Sequence, residues 1–422
     1  MTNVETKPDT FPIADVRASF PALQNTDNGR RRIYLDNPAG TLVAQQVIDA
    51  VSRVYLEFES NTGVFNVFSM EIDEMVDRVY EAMACFLGTK DSGEIIIGPN
   101  TTNLTFQLAR NMAHMFGPGD EIILTHMEHE GHIAPWLQLA KETGATIRWL
   151  PFNKDSWRIE PQELAMILNE NTKFLALNYV SNVTGIINDV KELTRLAKSA
   201  GALVYIDGVQ FTPHYLVDVT AIGCDFFRCS PYKFFGPHLG VVWGKRSILE
   251  QCRTYNTRIA SKDLPHRFAI GTPQYELLSG LLGMISYFEM LGRQGGVSGD
   301  RRSLIANAWR LIEAHEGRLV DVLRRGVSDI PEIKLVGPGL EIKGIMRAPM
   351  LAFLHRQNRL DEVAKMLNSN GIYCHWGRNF ANPVANHLDM GPAEGFIRMG
   401  VSHYNTQAEI ETALDCLRRG LD

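Results

Sequence analysis

Lys233 lies in the stretch SPYKFFGPHLG (230–240), beside Tyr232, Phe234 and Phe235 and just before Gly236 and Pro237. An ammonium is strongly hydrated, so this setting allows two outcomes. Either the stem packs on the aromatic rings and the head reaches water, or the amine is kept partly desolvated, hence neutral and nucleophilic. Other residues able to do chemistry follow short apolar runs. Thr101 and Thr102 come after EIIIGPN and open a helix, where free N–H groups and two hydroxyls make an anion site or an ordinary N-cap. HMEHEGH follows EIILT and supplies His126, His129 and His132. Three histidines raise the possibility of a metal hydrolase. Their spacing is not H-E-x-x-H, however, and a carboxylate or thiolate partner at ligand spacing is not evident, so no metal is expected and a stacking or hydrogen-bonding role is assigned to one of them. Asn182 follows FLALNYV, Asp207 and Gln210 follow ALVYI, and Ser230 follows DFFRC. A carboxylate ending an apolar strand is costly unless it meets a cation or several donors, although it can also cap the next turn.

One ligand satisfies this set. Thr101, Thr102 and Ser230 call for a phosphate, and His129 for a flat ring to cover. Asp207 calls for a cationic ring nitrogen, Asn182 and Gln210 for a phenolic oxygen, and Lys233 for an aldehyde. Pyridoxal 5'-phosphate carries all of these groups. No G-x-x-x-x-G-K-[ST] or G-x-G-x-x-G stretch offers a rival cofactor.

The elements that must position these residues are legible as alternation. Between residues 94 and 246, short apolar runs (94–98, 121–126, 172–180, 202–208, 225–230 and 240–245) alternate with helical stretches. That pattern predicts a mostly parallel sheet covered on both faces, with ligands at the carboxyl ends of its strands. From about residue 300 a long polar helix leads to short strands near 333–337, 349–354 and 396–402 and two further helices, an α+β layer. We expect an N-terminal segment (1–40) packing with that layer, a large cofactor-binding domain (41–295) and a small C-terminal domain (296–422). The chain has 422 residues, 45% hydrophobic and 21% charged, with a formal net charge of −6, so a large core is available. Lys and Arg are scattered, which gives no support to nucleic-acid binding. No apolar run matches a membrane span, and the N-terminus lacks a basic-then-apolar signal. The six cysteines contain no C-x-x-C pair and read as reduced thiols of a cytoplasmic protein.

Several motifs in order carry a family resemblance: YLDNPAG (34–40), NTTN, MEH, VSNVTG, IDGVQ, SPYKFFGPH and IRMGVSHYNT (397–406). On them the chain resembles the fold-type I, pyridoxal-phosphate-dependent class V aminotransferases, most of all their cysteine desulfurase-like branch. The resemblance implies a large domain with a mostly parallel seven-stranded sheet between helices, plus a smaller α+β domain. It implies Lys233 as the Schiff-base lysine, Asp207 as the partner of the ring nitrogen, and Gln210 and Asn182 as partners of the phenolic oxygen. It further implies His129 stacked on the ring and Thr101, Thr102 and Ser230 on the phosphate. Gly271 and Thr272, in FAIGTPQ, resemble the pair that reaches the phosphate of a neighbouring subunit, which implies a homodimer. Arg398 resembles the arginine that grips the substrate carboxylate, a task its planar fork suits.

Two departures stand out. Tyr232 occupies the place of a histidine, and a phenol there can still bond phosphate. Phe380, in GIYCHWGRNFANPV (371–384), occupies the place of the cysteine nucleophile. Cys374 is expected in a strand as core. His375, Trp376, Arg378 and Phe380 are then expected as pocket residues that set substrate preference, with Asn61 and Phe65 of SNTGVF lining the same pocket. The expected activity is elimination at an amino acid without an enzyme persulfide, with transamination and then epimerisation as alternatives.

Overall fold

The computed structural model describes residues 11–27, 29–339, 346–357, 359–391 and 394–421, so residues 1–10 of the expected N-terminal segment lie outside the described residues. Seven strands form the large sheet: β1 (Ile95–Gly98), β2 (Glu121–Thr125), β3 (Thr146–Leu150), β4 (Thr172–Asn178), β5 (Leu203–Asp207), β6 (Phe226–Cys229) and β7 (Gly240–Gly244). Their order is β1-β7-β6-β5-β4-β2-β3, and only β7 runs against its neighbours. Side chains alternate across a strand, so a sheet buried on both faces sends successive residues to different cores. Leu175 and Leu177 of β4 and Val204 and Ile206 of β5 belong to one core, while Phe174, Ala176 and Tyr205 belong to the other. Helix α1 (Thr101–Met112) and helix α2 (Glu130–Thr143) pack into the second core through Leu108 and Trp136, and helix α3 (Tyr275–Gly292) packs into the first through Leu281 and Phe288.

The small sheet is antiparallel, in the order β8 (Ile333–Val336), β9 (Met350–His355), β11 (Phe396–Gly400) and β10 (His375–Gly377). Two strands of these two sheets lie outside the runs read from the sequence. One is the edge strand β3, in which only Leu150 is buried; the other is the three-residue β10. Ile33–Tyr34 pairs in parallel with Ile372–Tyr373, and Asp36 bridges to Gly400, which lays the segment before residue 40 along the small sheet. Helix α4 (Arg301–Ser328) joins the two layers: Trp309 and Ile312 pack in the large core, and Leu319 and Leu323 in the small one.

Candidate active site

The carboxyl ends of β4, β5 and β6, with the N-termini of α1 and α2, surround a pocket. Thr101, Thr102, Ser230 and Tyr232 line it on one side, and His129, Asn182, Asp207, Gln210 and Lys233 complete the wall. The threonines begin α1, whose N-cap Asn100 accepts from Asn103 N at 2.8 Å. Thr101 Oγ1 and Ser230 Oγ lie 3.1 Å apart. Strand β7 passes flush against this helix start. A Cβ added at Gly240 would stand 2.3 Å from the Asn100 carbonyl carbon and 2.4 Å from Thr101 N. Hydroxyls and a positive dipole end together suit a phosphate.

His129 caps α2, its Nδ1 accepting from Gly131 N at 2.9 Å, which leaves the ring proton on Nε2. Burial, then the Lys233 amine, hold its pKa down to about 3, so the ring is neutral at any working pH. Asp207 ends β5. Its Oδ1 accepts from Val209 N at 2.9 Å and its Oδ2 from Arg228 Nη2 at 2.5 Å. Burial alone would raise this carboxyl, but the Arg228 guanidinium overrides it and holds the group well below the usual carboxylate range. Asp207 is therefore an anion throughout the working range.

Lys233 closes the short turn Pro231–Lys233 and is only 7% exposed. Of the two outcomes open from the sequence, the structure shows the desolvated one. Burial first, and the Arg398 cation second, pull its pKa from 10.5 to about 7, against the attraction of Asp207. Capture of an aldehyde requires the neutral amine. Mixing apoprotein with pyridoxal phosphate in a stopped-flow absorbance experiment should therefore give a rate that climbs about tenfold per pH unit below 7 and levels off above it. A lysine of ordinary pKa would still be climbing at pH about 9.

The amides of Asn182 and Gln210 each donate once to backbone, to Asn379 O at 2.8 Å and to Pro38 O at 2.7 Å. Their side-chain oxygens are buried and have no partner among the described residues. Each residue thus keeps an acceptor and a second N–H for a ligand. Orphaned buried polar atoms are rare in finished sites, so these two, with the anion corner at Thr101, fit a polar cofactor such as pyridoxal phosphate.

Arg398 sits on β11, buried, and reaches the pocket through Asn182, whose carbonyl accepts from Nη1 at 2.8 Å. Its Nη2 lies 3.8 Å from Asp36 Oδ1, and Nε has no partner among the described residues. Burial lowers its pKa to about 10, which leaves it cationic. His375, opposite Arg398 in the β10–β11 register, pairs with Asp36 Oδ2 at 3.5 Å. Phe380 is brought to the mouth. Its ring lies 5.7 Å from that of His129, its carbonyl accepts from Glu130 N at 2.9 Å, and its φ is +53°. The expected Tyr232 stacks on His238 at 4.8 Å.

Other expected residues go elsewhere. Arg378 spends its guanidinium on the loop, donating to Asn386 Oδ1 at 3.1 Å, Met390 O at 3.1 Å and Gly391 O at 2.6 Å, so it braces the loop. Asn61 accepts from Tyr275 Oη at 3.1 Å in an exposed loop, and Phe65 is fully exposed; neither lines the pocket of its own chain. Gly271 and Thr272 line a separate cleft with Asn103 and Gln107. The three histidines do not converge. The His126 ring packs on Trp149 and His387, and His132 bonds Glu128 Oε2 at 2.7 Å. Among the described residues the one group at metal-ligand spacing is Glu128, His132 and Asp207, and Asp207 is already bound to Arg228.

Arg228 was not anticipated. Its signal was an arginine inside an apolar strand, DFFRCS, a setting it shares with Arg398 in FIRMG. Asp36 gave no such signal, because its partners come from more than 300 residues away.

Comparison with known proteins agrees with this geometry. The aminotransferase class-V family model matches residues 33–413. A cysteine desulfurase from Pectobacterium atrosepticum is 30% identical over 97% of this chain and 98% of its own. Among solved structures, a cysteine desulfurase from Thermococcus onnurineus superposes with a TM-score of 0.84 at 25% identity, covering 96% of this chain and 97% of that one. A cysteine desulfurase from Escherichia coli, at 24% identity and a TM-score of 0.83 over 97% and 98% of the two chains, shares the fold.

Proposed function

The chain belongs to the class-V aminotransferase family of pyridoxal-phosphate-dependent enzymes, and from that premise we propose that it eliminates a group from an activated amino acid without passing that group to an enzyme thiol. The cofactor supplies an aldehyde for a primary amine and a ring that takes up the electron pair freed at Cα. Thr101, Thr102 and Ser230 would hold the phosphate, His129 would cover the ring, and Asn182 and Gln210 would meet its phenolic oxygen. Asp207 would partner the ring nitrogen. Arg398 would bind the substrate carboxylate and so orient the substrate's Cα. Lys233 would hold the aldehyde and is the base placed to take the Cα proton. Neutral His129 adds no charge beside that transfer.

The observation that carries the reading is the buried amine of Lys233, held near neutrality between Asp207 and Arg398. The clause about thiols rests on the cysteines. None of the six lines the pocket among the described residues, and burial pushes every one of their pKa values up, Cys252 to about 11 and Cys374 to about 12. A reactive thiol needs the opposite environment. In place of a nucleophile, the mouth carries Phe380.

The homodimer is part of the same proposal. Phe65, Phe68 and Ile270 are exposed apolar side chains, and Gly271 and Thr272 lie apart from their own pocket. A second copy would cover the former and bring the latter to a phosphate. Among the described residues no helix is long and apolar enough to cross a membrane, and the six unpaired thiols suit the cytoplasm.

Incubation with a panel of amino acids, with sulfide, pyruvate, ammonia and keto acid measured in parallel, tests the function. Elimination releases ammonia and a keto acid together from one substrate. Keto acid formed without ammonia means transamination, and loss of optical rotation alone means epimerisation. If cysteine is a substrate, sulfur should appear as free sulfide. Mass spectrometry should then find no persulfide on any cysteine, and Cys374→Ser should keep its rate within about twofold. A persulfide on Cys374 would overturn the thiol-free reading.

A further inference from the structure

We propose that Arg228 weakens the hold of Asp207 on the proton of the cofactor's ring nitrogen, acting as a positioning residue that moderates the electron-accepting power of the ring. This rests on the reading of Asp207 as partner of that nitrogen.

The pair is fixed by strand register. β5 and β6 run parallel with Asp207 opposite Arg228, and residues paired across parallel strands project to the same face. The guanidinium has no freedom to leave. Nη2 donates to Asp207 Oδ2 at 2.5 Å, and Nη1 to Thr105 Oγ1 at 3.1 Å and to Gly131 O at 2.7 Å. These acceptors belong to β5, α1 and the start of α2, so three elements hold one cation. The residue is 2% exposed, and a guanidinium does not give up its proton in proteins.

A carboxylate that serves only the ring nitrogen concentrates its whole charge there. Here each oxygen of Asp207 already accepts a donor, from Val209 N and from Arg228. A protonated ring nitrogen on Asp207 is therefore a second cation on one anion, with the first unable to withdraw. A like charge within about 4–6 Å moves a titration by one to three units, in the direction that favours loss of the proton. Of the other groups around Asp207, the Glu128 carboxylate opposes this, and its oxygens are already engaged by Thr125, Asn178 N and His132. His132 acts on it with the same sign as Arg228 and is bonded to Glu128. Arg398 is a further cation of the same cluster. His129 is neutral, and the buried phenol of Tyr205 and thiol of Cys229 have pKa values raised by burial, so they carry no charge at working pH.

The test is nitrogen-15 NMR of the whole enzyme loaded with ring-labelled pyridoxal phosphate and without substrate, titrated from pH 6 to 9. In the unmodified protein the ring nitrogen should lose its proton within that window. In Arg228→Gln the midpoint should rise by about one unit or more, and Arg228→Lys, which keeps the cation, should stay near the unmodified value. A purely structural arginine would leave the midpoint unmoved in both variants. If Arg228→Gln does not fold, the unmodified protein decides alone, because a ring nitrogen still protonated at pH 9 overturns the proposal. Failure of borohydride to fix the cofactor on Lys233 would instead overturn the reading of the site beneath it.

Discussion

Lys233→Ala protein will remain colourless after incubation with pyridoxal phosphate and dialysis, will yield no borohydride-fixed adduct, and will turn amino acids over at least about a thousandfold more slowly. Two losses combine in this one change. The covalent tether disappears, and so does the group that moves the Cα proton. Positioned proton transfer alone contributes about 10²–10⁴-fold. The fold should tolerate the substitution, because a lysine head is costly to desolvate and Arg228 and Arg398 stand close by to disfavour its charge. Circular dichroism and the thermal midpoint should therefore stay close to those of the parent. Absorbance and mass spectrometry of the reduced protein check the first half of the expectation, and steady-state assays the second. An alanine variant that keeps its colour after dialysis and its turnover would remove the foundation of the proposed function.

Arg398→Leu should lower kcat/KM for amino acids by about 30-fold to several-thousandfold, the equivalent of the 2–5 kcal/mol that truncating one partner of a buried hydrogen-bonded charge pair costs. Most of the loss should appear in KM, since the carboxylate is held in ground and transition states alike. Arg398→Lys should recover little, because an ammonium cannot reproduce the two-pronged contact. The geometry adds a complication: Asp36 lies 3.8 Å from the guanidinium and 3.5 Å from His375. Removing the arginine leaves that half-buried carboxylate with one partner fewer. The double variant Arg398→Leu/Asp36→Asn separates the two effects. If the lost affinity reflects only a stranded anion, the second change restores it; if it reflects the grip on the substrate, it does not. Descarboxy amines give the complementary control. Parent protein that binds them as well as it binds amino acids would exclude the carboxylate role.

The large sheet was readable because its strands are buried on both faces, and runs such as FLALN and LVYI leave little ambiguity. β3 escaped because an edge strand with mostly exposed side chains, TIRWL, carries no continuous apolar run, and β10 because three residues are too few for any period. The same contrast divides the site. Residues standing just past buried strands, from Thr101 through Asp207 to Lys233, were placed by one rule of sheet topology and meet in one pocket. Residues on loops were not. Arg378 turns to backbone carbonyls and Asn61 to Tyr275, partners that local sequence does not reveal. Arg228 stood in plain sight within a strand, but its meaning depends on which strand lies next to it. Strand adjacency is a property of the sheet order, β5 beside β6, and of the register that sets Asp207 opposite Arg228.

Asn182 holds two threads of the small layer at a single knot. Its amide clasps the carbonyl of Asn379, next to Phe380 at the mouth, and its own carbonyl clasps Arg398. Any tilt of the small sheet away from the large one pulls on both bonds together. Under the proposed carboxylate role of Arg398, a shift of Asn182 would therefore move the grip on the substrate and the loop that carries Phe380 together.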